Sequence, residues 1–60
     1  MNDKQMNQIK EQLPEGAKIL RTYRAFEGDI RVIVKAPSNQ YETRYTVKFV
    51  NDYPHIEKMP

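Results

Sequence analysis

The chain has 60 residues, no cysteine and one histidine, and its formal net charge is +2. A domain this short buries only about 60% of the surface that its unfolded chain exposes, so its core is small. Disulfides and zinc sites of the Cys/His type are excluded, so packing within the domain or against a second copy must supply the stability.

The first segment predicts an amphipathic helix over about residues 3–13. Asp3 is the expected N-cap, because its carboxylate can accept from the free amides of the first turn. Pro14 ends the helix, since the residue before a proline is disfavoured in the helical region. One helical face carries apolar residues at spacings of three and four: Met6, Ile9 and Leu13.

The middle of the chain predicts a three-stranded antiparallel meander, because its apolar period changes to two. The expected strands are residues 17–26, 30–36 and 41–50. The turns between them are "EGD", residues 27–29, and "PSNQ", residues 37–40, where glycine, proline, serine and asparagine favour tight bends. The predicted fold is α+β in the order α-β-β-β, with the N-terminal helix packed on the meander.

The "PSNQ" loop sets the register of the second hairpin, because four loop residues place Ala36 opposite Tyr41. In that register Lys35 lies across from Glu42, which predicts a favourable cross-strand pair. The residues expected to face the helix are Ile30, Val32, Val34 and Ala36, with Tyr41, Thr43, Tyr45, Val47 and Phe49.

The first strand has two possible orientations, because one residue more or less in the "EGD" loop exchanges its two faces. We expect Leu20 and Phe26 to point toward the helix. Ile19, Arg21 and Tyr23 then lie on the opposite, open face of the sheet.

Residues 51–60 are expected to form a loosely packed tail of a single domain that spans residues 1–60. Asp52 and Pro54 favour a turn, and the remainder is expected to lie against the sheet edge as an extended or single-turn segment. No apolar run reaches the roughly 20 residues of a membrane span, and the polar N-terminus lacks the apolar core of a signal peptide. We expect a cytoplasmic protein without a membrane partner.

The sequence offers no constellation of residues for catalysis, so we expect a protein that is not an enzyme. Ser38 is the only serine and lies in a predicted turn, while His55 stands alone in the tail. Gly16 and Gly28 are explained as turn residues and do not form a phosphate loop. No catalytic residue, metal site, cofactor or small-molecule substrate is expected.

Positive charge is concentrated in residues 18–48, which hold seven basic residues against three acidic ones, a net charge of +4. Alternation places much of it on the open face of the sheet. The predicted partner-binding residues on this face are Arg21, Tyr23, Arg31, Ile33, Lys35, Arg44 and Lys48.

Three interpretations of this face remain open. It can be a solvated surface, on which lysine and arginine stems cover apolar area. The leading functional hypothesis is a protein–protein interaction module, either an inhibitor or adaptor of the kind that phages and mobile elements encode, or a homodimer. It is motivated by apolar groups with no evident place on the helix side, and by the frequency of arginine and tyrosine at interface hot spots. These apolar groups are Ile33 and Val50, with Ile19 and Tyr23 if the first strand is oriented as expected. The alternative is a nucleic-acid-binding protein, in which the same basic residues attract phosphates and Tyr23 stacks on a base.

Overall fold

The computed structural model describes residues 1–59, which form one helix followed by four antiparallel strands in one open sheet. The elements are α1 (Asp3–Gln12), β1 (Lys18–Arg24), β2 (Ile30–Lys35), β3 (Thr43–Val50) and β4 (Tyr53–Lys58). The strands are hydrogen-bonded in chain order, β1-β2-β3-β4. The α+β class is confirmed, and the expected number of strands, three, is wrong. Among the described residues, no helix has the length and apolar character needed to cross a membrane.

Helix α1 begins at a capping box, and its N-cap lies one residue earlier than the sequence predicted. Asn2, not Asp3, is the N-cap: its Oδ1 accepts from the Gln5 backbone N–H at 2.8 Å. In return, Gln5 Oε1 accepts from the Asn2 N–H at 3.2 Å. Two otherwise free amides of the first turn are therefore satisfied. The helix ends before Leu13, which is extended because Pro14 follows it.

The core lies between α1 and the middle strands. Its fully buried centre consists of Ile9, Val32, Val34 and Val47, and around it pack Leu13, Ala17, Ile19, Ile30, Tyr45 and Ile56. Val32 pairs with Tyr45, and Ile30 pairs with Val47, which is the register that a four-residue "PSNQ" loop implies. The predicted register of the second hairpin is therefore confirmed, and so is the helix-facing set of β2.

Two members of the predicted helix-facing set are not covered. Tyr41 precedes β3, which begins at Thr43, and is 76% exposed. Phe49 lies near the far end of β3 and is also exposed. Helix α1 lies along β4, where Gln5 and Gln12 donate to the carbonyls of Asp52 and Pro54, so it does not cover the whole width of the sheet.

The predicted ion pair between Lys35 and Glu42 does not form. Lys35 Nζ instead donates to the carbonyl of Ala36 at 3.1 Å and to that of Asn39. Glu42 lies outside β3, so no ladder holds it opposite Lys35. The lysine therefore links residues 36 and 39 within the loop between β2 and β3.

A bulge in β1 explains why alternation alone does not orient this strand. Ile19 pairs with Val34, but the next pair joins Arg21 to Ile33, so Leu20 is an extra residue. Such an insertion reverses the parity of the strand at that point. Side chains before the bulge face the helix at odd positions, and those after it face the helix at even positions.

The predicted orientation of β1 is consequently right in one half and wrong in the other. Ile19 packs against the core, although it was expected on the open face. Leu20 is 49% exposed and Phe26 is fully exposed in the loop, so neither is the internal residue that was expected. Arg21 and Tyr23 pair with open-face residues of β2, as predicted.

The segment expected to be a loose tail forms the fourth strand. Asn51 and Asp52 have φ values of 51° and 65°, and this pair of left-handed residues makes a two-residue turn of type I′ between β3 and β4. β4 then pairs with β3 along its whole length. Pro54 is tolerated because β4 is an edge strand. Pro60, the last residue of the predicted tail, lies outside the described residues.

The outer edge of β4 is closed by the side chain of Gln12. Its Nε2 donates to the Pro54 carbonyl at 2.6 Å, and its Oε1 accepts from the Ile56 N–H at 3.1 Å. The carboxamide thus occupies the place that a peptide group of a further strand would take. Unpaired edges are sites of unwanted strand pairing, so this contact protects β4.

Replacing Gln12 with alanine is expected to lower the free energy of unfolding by ~1–3 kcal/mol, because its two hydrogen bonds to β4, of ~0.5–1.5 kcal/mol each, are lost. Thermal unfolding followed by circular dichroism measures the change. Glu11→Ala is the matched control, since Glu11 is exposed and glutamate and glutamine have similar helix propensities. Equal shifts of the two melting temperatures would show that the edge contact contributes nothing.

Candidate functional site

The sheet face turned away from α1 carries a group of basic side chains, here called the basic face. Alternate residues of a strand share a face, and directly paired residues of neighbouring strands do too. The pairing of β1, β2 and β3 therefore brings six basic residues onto this face: Lys18, Arg21, Arg31, Lys35, Arg44 and Lys48.

The centre of the basic face is a row of three residues across β1, β2 and β3. Arg21 and Arg44 are the direct partners of Ile33 on its two sides. Ile33 is only 4% exposed, although α1 lies on the other side of the sheet. Long arginine stems can cover apolar surface while their guanidinium groups stay in water. Ile33 is therefore not exposed, although the protein-binding hypothesis used it as an exposed apolar group, whereas Val50 is 55% exposed.

The six basic residues differ in how freely their charges are presented. The Arg31 side chain is 21% exposed, and its Nη2 lies 3.1 Å from Glu27 Oε2. Lys35 is held by the carbonyls of the turn that follows β2. The other four are exposed: Lys18, Arg21, Arg44 and Lys48. Only these four can bind a negatively charged partner without first giving up an ion pair or hydrogen bond within the protein.

Aromatic side chains flank the basic residues on both edge strands. Tyr23 is half-buried on β1, directly opposite Arg31. On β4, Tyr53 and His55 share this face, and their ring centroids are 5.1 Å apart at an interplanar angle of 55°. Sequence analysis missed these two residues because it did not recognise β4. The signal was present in the pair of residues 51 and 52, both of which tolerate a left-handed turn.

Acidic residues lie at the margin of the basic face. Glu57 is exposed on β4, opposite Thr46. Glu27 belongs to the loop between β1 and β2 and is already paired with Arg31. The exposed charges of the central strands are therefore all positive, and the face suits a ligand that carries several negative charges.

The seven residues predicted as a partner-binding site all lie on this one face, but they are not equivalent. Arg21, Arg44 and Lys48 are exposed, Tyr23, Arg31 and Lys35 are half-buried, and Ile33 is buried. Within residues 1–59, no group of three or more histidine or acidic side chains could hold a metal ion. Searches with this chain against protein-family models, curated proteins and solved structures gave no match. The assignment of a function therefore rests on the geometry of the sheet.

Proposed function

We propose that the protein binds nucleic acid through the basic face and catalyses no reaction. The observation that carries the proposal is the set of exposed basic side chains that β1 and β3, the two neighbours of β2, present on one face of the sheet: Lys18, Arg21, Arg44 and Lys48. Lysine and arginine residues that neutralise phosphates release condensed counterions, and this release supplies most of the affinity of non-specific binding.

The burial of Ile33 is the reason for placing nucleic acid ahead of a protein partner on this face. The centres of protein–protein interfaces are depleted in lysine and acidic side chains, and their arginines stand among exposed aromatic and apolar groups. Here the central row exposes two arginines, and its one apolar member is covered. A phosphate backbone fits such a row better than an apolar protein surface does.

The separation of the potential catalytic groups supports a role without catalysis. Ser38 lies in the turn between β2 and β3, at one end of the sheet. His55 pairs with Lys48, toward the other end, and its ring lies beside that of Tyr53. A nucleophile and its base must be within hydrogen-bond reach, and these residues are not.

Titration of the protein with fluorescently labelled oligonucleotides at several salt concentrations tests the proposal. With four phosphate contacts, a plot of the logarithm of the binding constant against the logarithm of salt concentration should have a slope of about −2.8 to −3.6. Affinity should then drop roughly 50- to 150-fold between 50 and 200 mM salt. Absence of binding to every oligonucleotide at low salt would contradict the proposal.

A second candidate function, self-association, is favoured by exposed apolar side chains at one end of the sheet. This apolar end lies where the loop after β1 and the last residues of β3 share one end of the sheet, and its exposed members are Phe26, Phe49 and Val50. A hollow of about 450 Å³ beside it is lined by residues that include Arg24 and Asp29. Charges of both signs around an apolar centre are self-complementary under two-fold symmetry, so the occupant we propose is a second copy of the chain.

Sedimentation velocity over a range of concentrations tests this second candidate. The wild-type protein is expected to shift from monomer to dimer as its concentration rises, and Phe26→Ser should remain monomeric because a fully exposed anchor is removed. Tyr41→Ser is the control, since Tyr41 is an exposed aromatic residue in the loop at the opposite end of the sheet. A wild-type protein that stays monomeric at high concentration would remove the homodimer.

A further inference from the structure

We infer that the nucleic acid bound by the basic face is single-stranded and that one of its unpaired bases stacks on Tyr23. This inference rests on the proposed function and specifies the class of its ligand. It follows from the shape of the face, from the position of Tyr23 and from the aromatic pair on β4.

The shape of the basic face does not suit the grooves of a duplex. Four strands spaced by about 4.8 Å make a face about 14 Å across, and α1 packs on its other side. Double-stranded DNA is read by a helix or a two-stranded ribbon that enters a major groove about 12 Å wide. The face offers neither element, so a duplex could meet it only through phosphates on one side.

Tyr23 has the position expected of a stacking residue. It lies on an edge strand, directly opposite Arg31 and two residues along the same face from Arg21. In the part of the chain that the structure describes, the one pair of interacting aromatic rings is Tyr53 with His55. The Tyr23 ring is therefore not stacked on another aromatic ring of the protein. Arg21, whose charge is exposed, would bind a phosphate and so hold a nucleotide within reach of the ring.

The arrangement of charge between aromatic groups matches the chemistry of a flexible single strand. Arg21 and Arg44 are separated by two strand spacings, about 10 Å, with Tyr23 on one side. The Tyr53–His55 pair lies on the opposite edge strand, about 14 Å across the sheet from β1. A single strand can place phosphates on the arginines and turn its bases onto aromatic rings, whereas a duplex keeps its bases stacked on each other.

The inference is tested with three ligands of equal length: a single-stranded oligonucleotide, the same backbone carrying abasic sites, and a duplex. The wild-type protein should bind the single strand most tightly. Tyr23→Leu should weaken that binding about 5- to 100-fold, because one stacked base is lost, and should leave binding of the abasic strand unchanged. Tyr23→Phe should retain the wild-type affinity, since it keeps the ring.

Tyr41→Leu is the matched control, because Tyr41 is exposed but belongs to the loop after β2. Unchanged abasic binding also shows that the Tyr23→Leu protein is folded with an intact basic face. If Tyr23→Leu binds the single strand as tightly as the wild type, or if the duplex binds equally well, the inference is overturned and the proposed function stands. If none of the three ligands binds, both are overturned.

Discussion

Val32→Asp is expected to unfold the protein at neutral pH. Val32 is fully buried in the cluster that joins Ile9 of α1 to the central strands. An ionised carboxylate placed there without a partner costs several kcal/mol. A chain of this length has a free energy of unfolding of only about 3–9 kcal/mol, and a single small core rarely supplies more than ~3–5 kcal/mol. Far-UV circular dichroism and the amide dispersion of an NMR spectrum should both report a disordered chain.

Val50→Asp is the matched control for this experiment, because it makes the same chemical change at a valine on the other face. Val50 is 55% exposed at the end of β3 and pairs with Tyr53 on the open side of the sheet. Its carboxylate would remain in water, so the variant should stay folded with a change of about 0.5 kcal/mol or less. Two variants that are equally folded, or equally unfolded, would refute the assignment of the two faces.

The second hairpin could be predicted from sequence because each of its determinants is local. β2 is rich in β-branched residues, β3 alternates without interruption, and the loop between them has an unambiguous length. Those features fix the register, and the register fixes which side chains face α1. The pairing of Val32 with Tyr45 is therefore as expected.

The first and last strands could not be predicted in the same way. The bulge at Leu20 reverses the parity of β1, and no residue type marks it in the sequence. β4 follows a turn made by Asn51 and Asp52 without a glycine, and it contains Pro54, which usually argues against a strand. The carboxamide of Gln12, 42 residues away in sequence, completes its edge, and such a contact has no local signature.

In the candidate site, too, the features that neighbouring residues determine could be predicted, and those that depend on distant residues could not. Alternation correctly groups five of the six basic residues with Tyr23 on one face, but it misses Lys18, which lies there because of the bulge at Leu20. Ile33 is buried although alternation places it on the open face, so its position in its own strand does not reveal its burial. Tyr53 and His55 enter the site only through β4. The order of the two functional hypotheses changes for this reason, since Ile33 is covered and two aromatic side chains join the basic face.

The double variant Arg21→Gln/Arg44→Gln is expected to weaken nucleic-acid binding about 100-fold or more at low salt. Each arginine makes charge-assisted hydrogen bonds to phosphate worth ~1.5–3 kcal/mol, and every ~1.4 kcal/mol corresponds to a factor of ten. The magnitude of the salt slope should also decrease by about 1.4–1.8, because two phosphate contacts are removed. The measurement is the oligonucleotide titration repeated with the variant at each salt concentration.

The control for the arginine pair must change the net charge equally without touching the basic face. Arg24→Gln/Lys10→Gln does so, because Arg24 pairs with Ile30 on the helix side of β1 and Lys10 is exposed on α1. If the protein binds through the basic face, this control should bind almost as tightly as the wild type, and its salt slope should be unchanged. If instead both double variants lose affinity equally, the net positive charge of the protein drives binding. Binding would then not depend on the positions of Arg21 and Arg44 in the basic face.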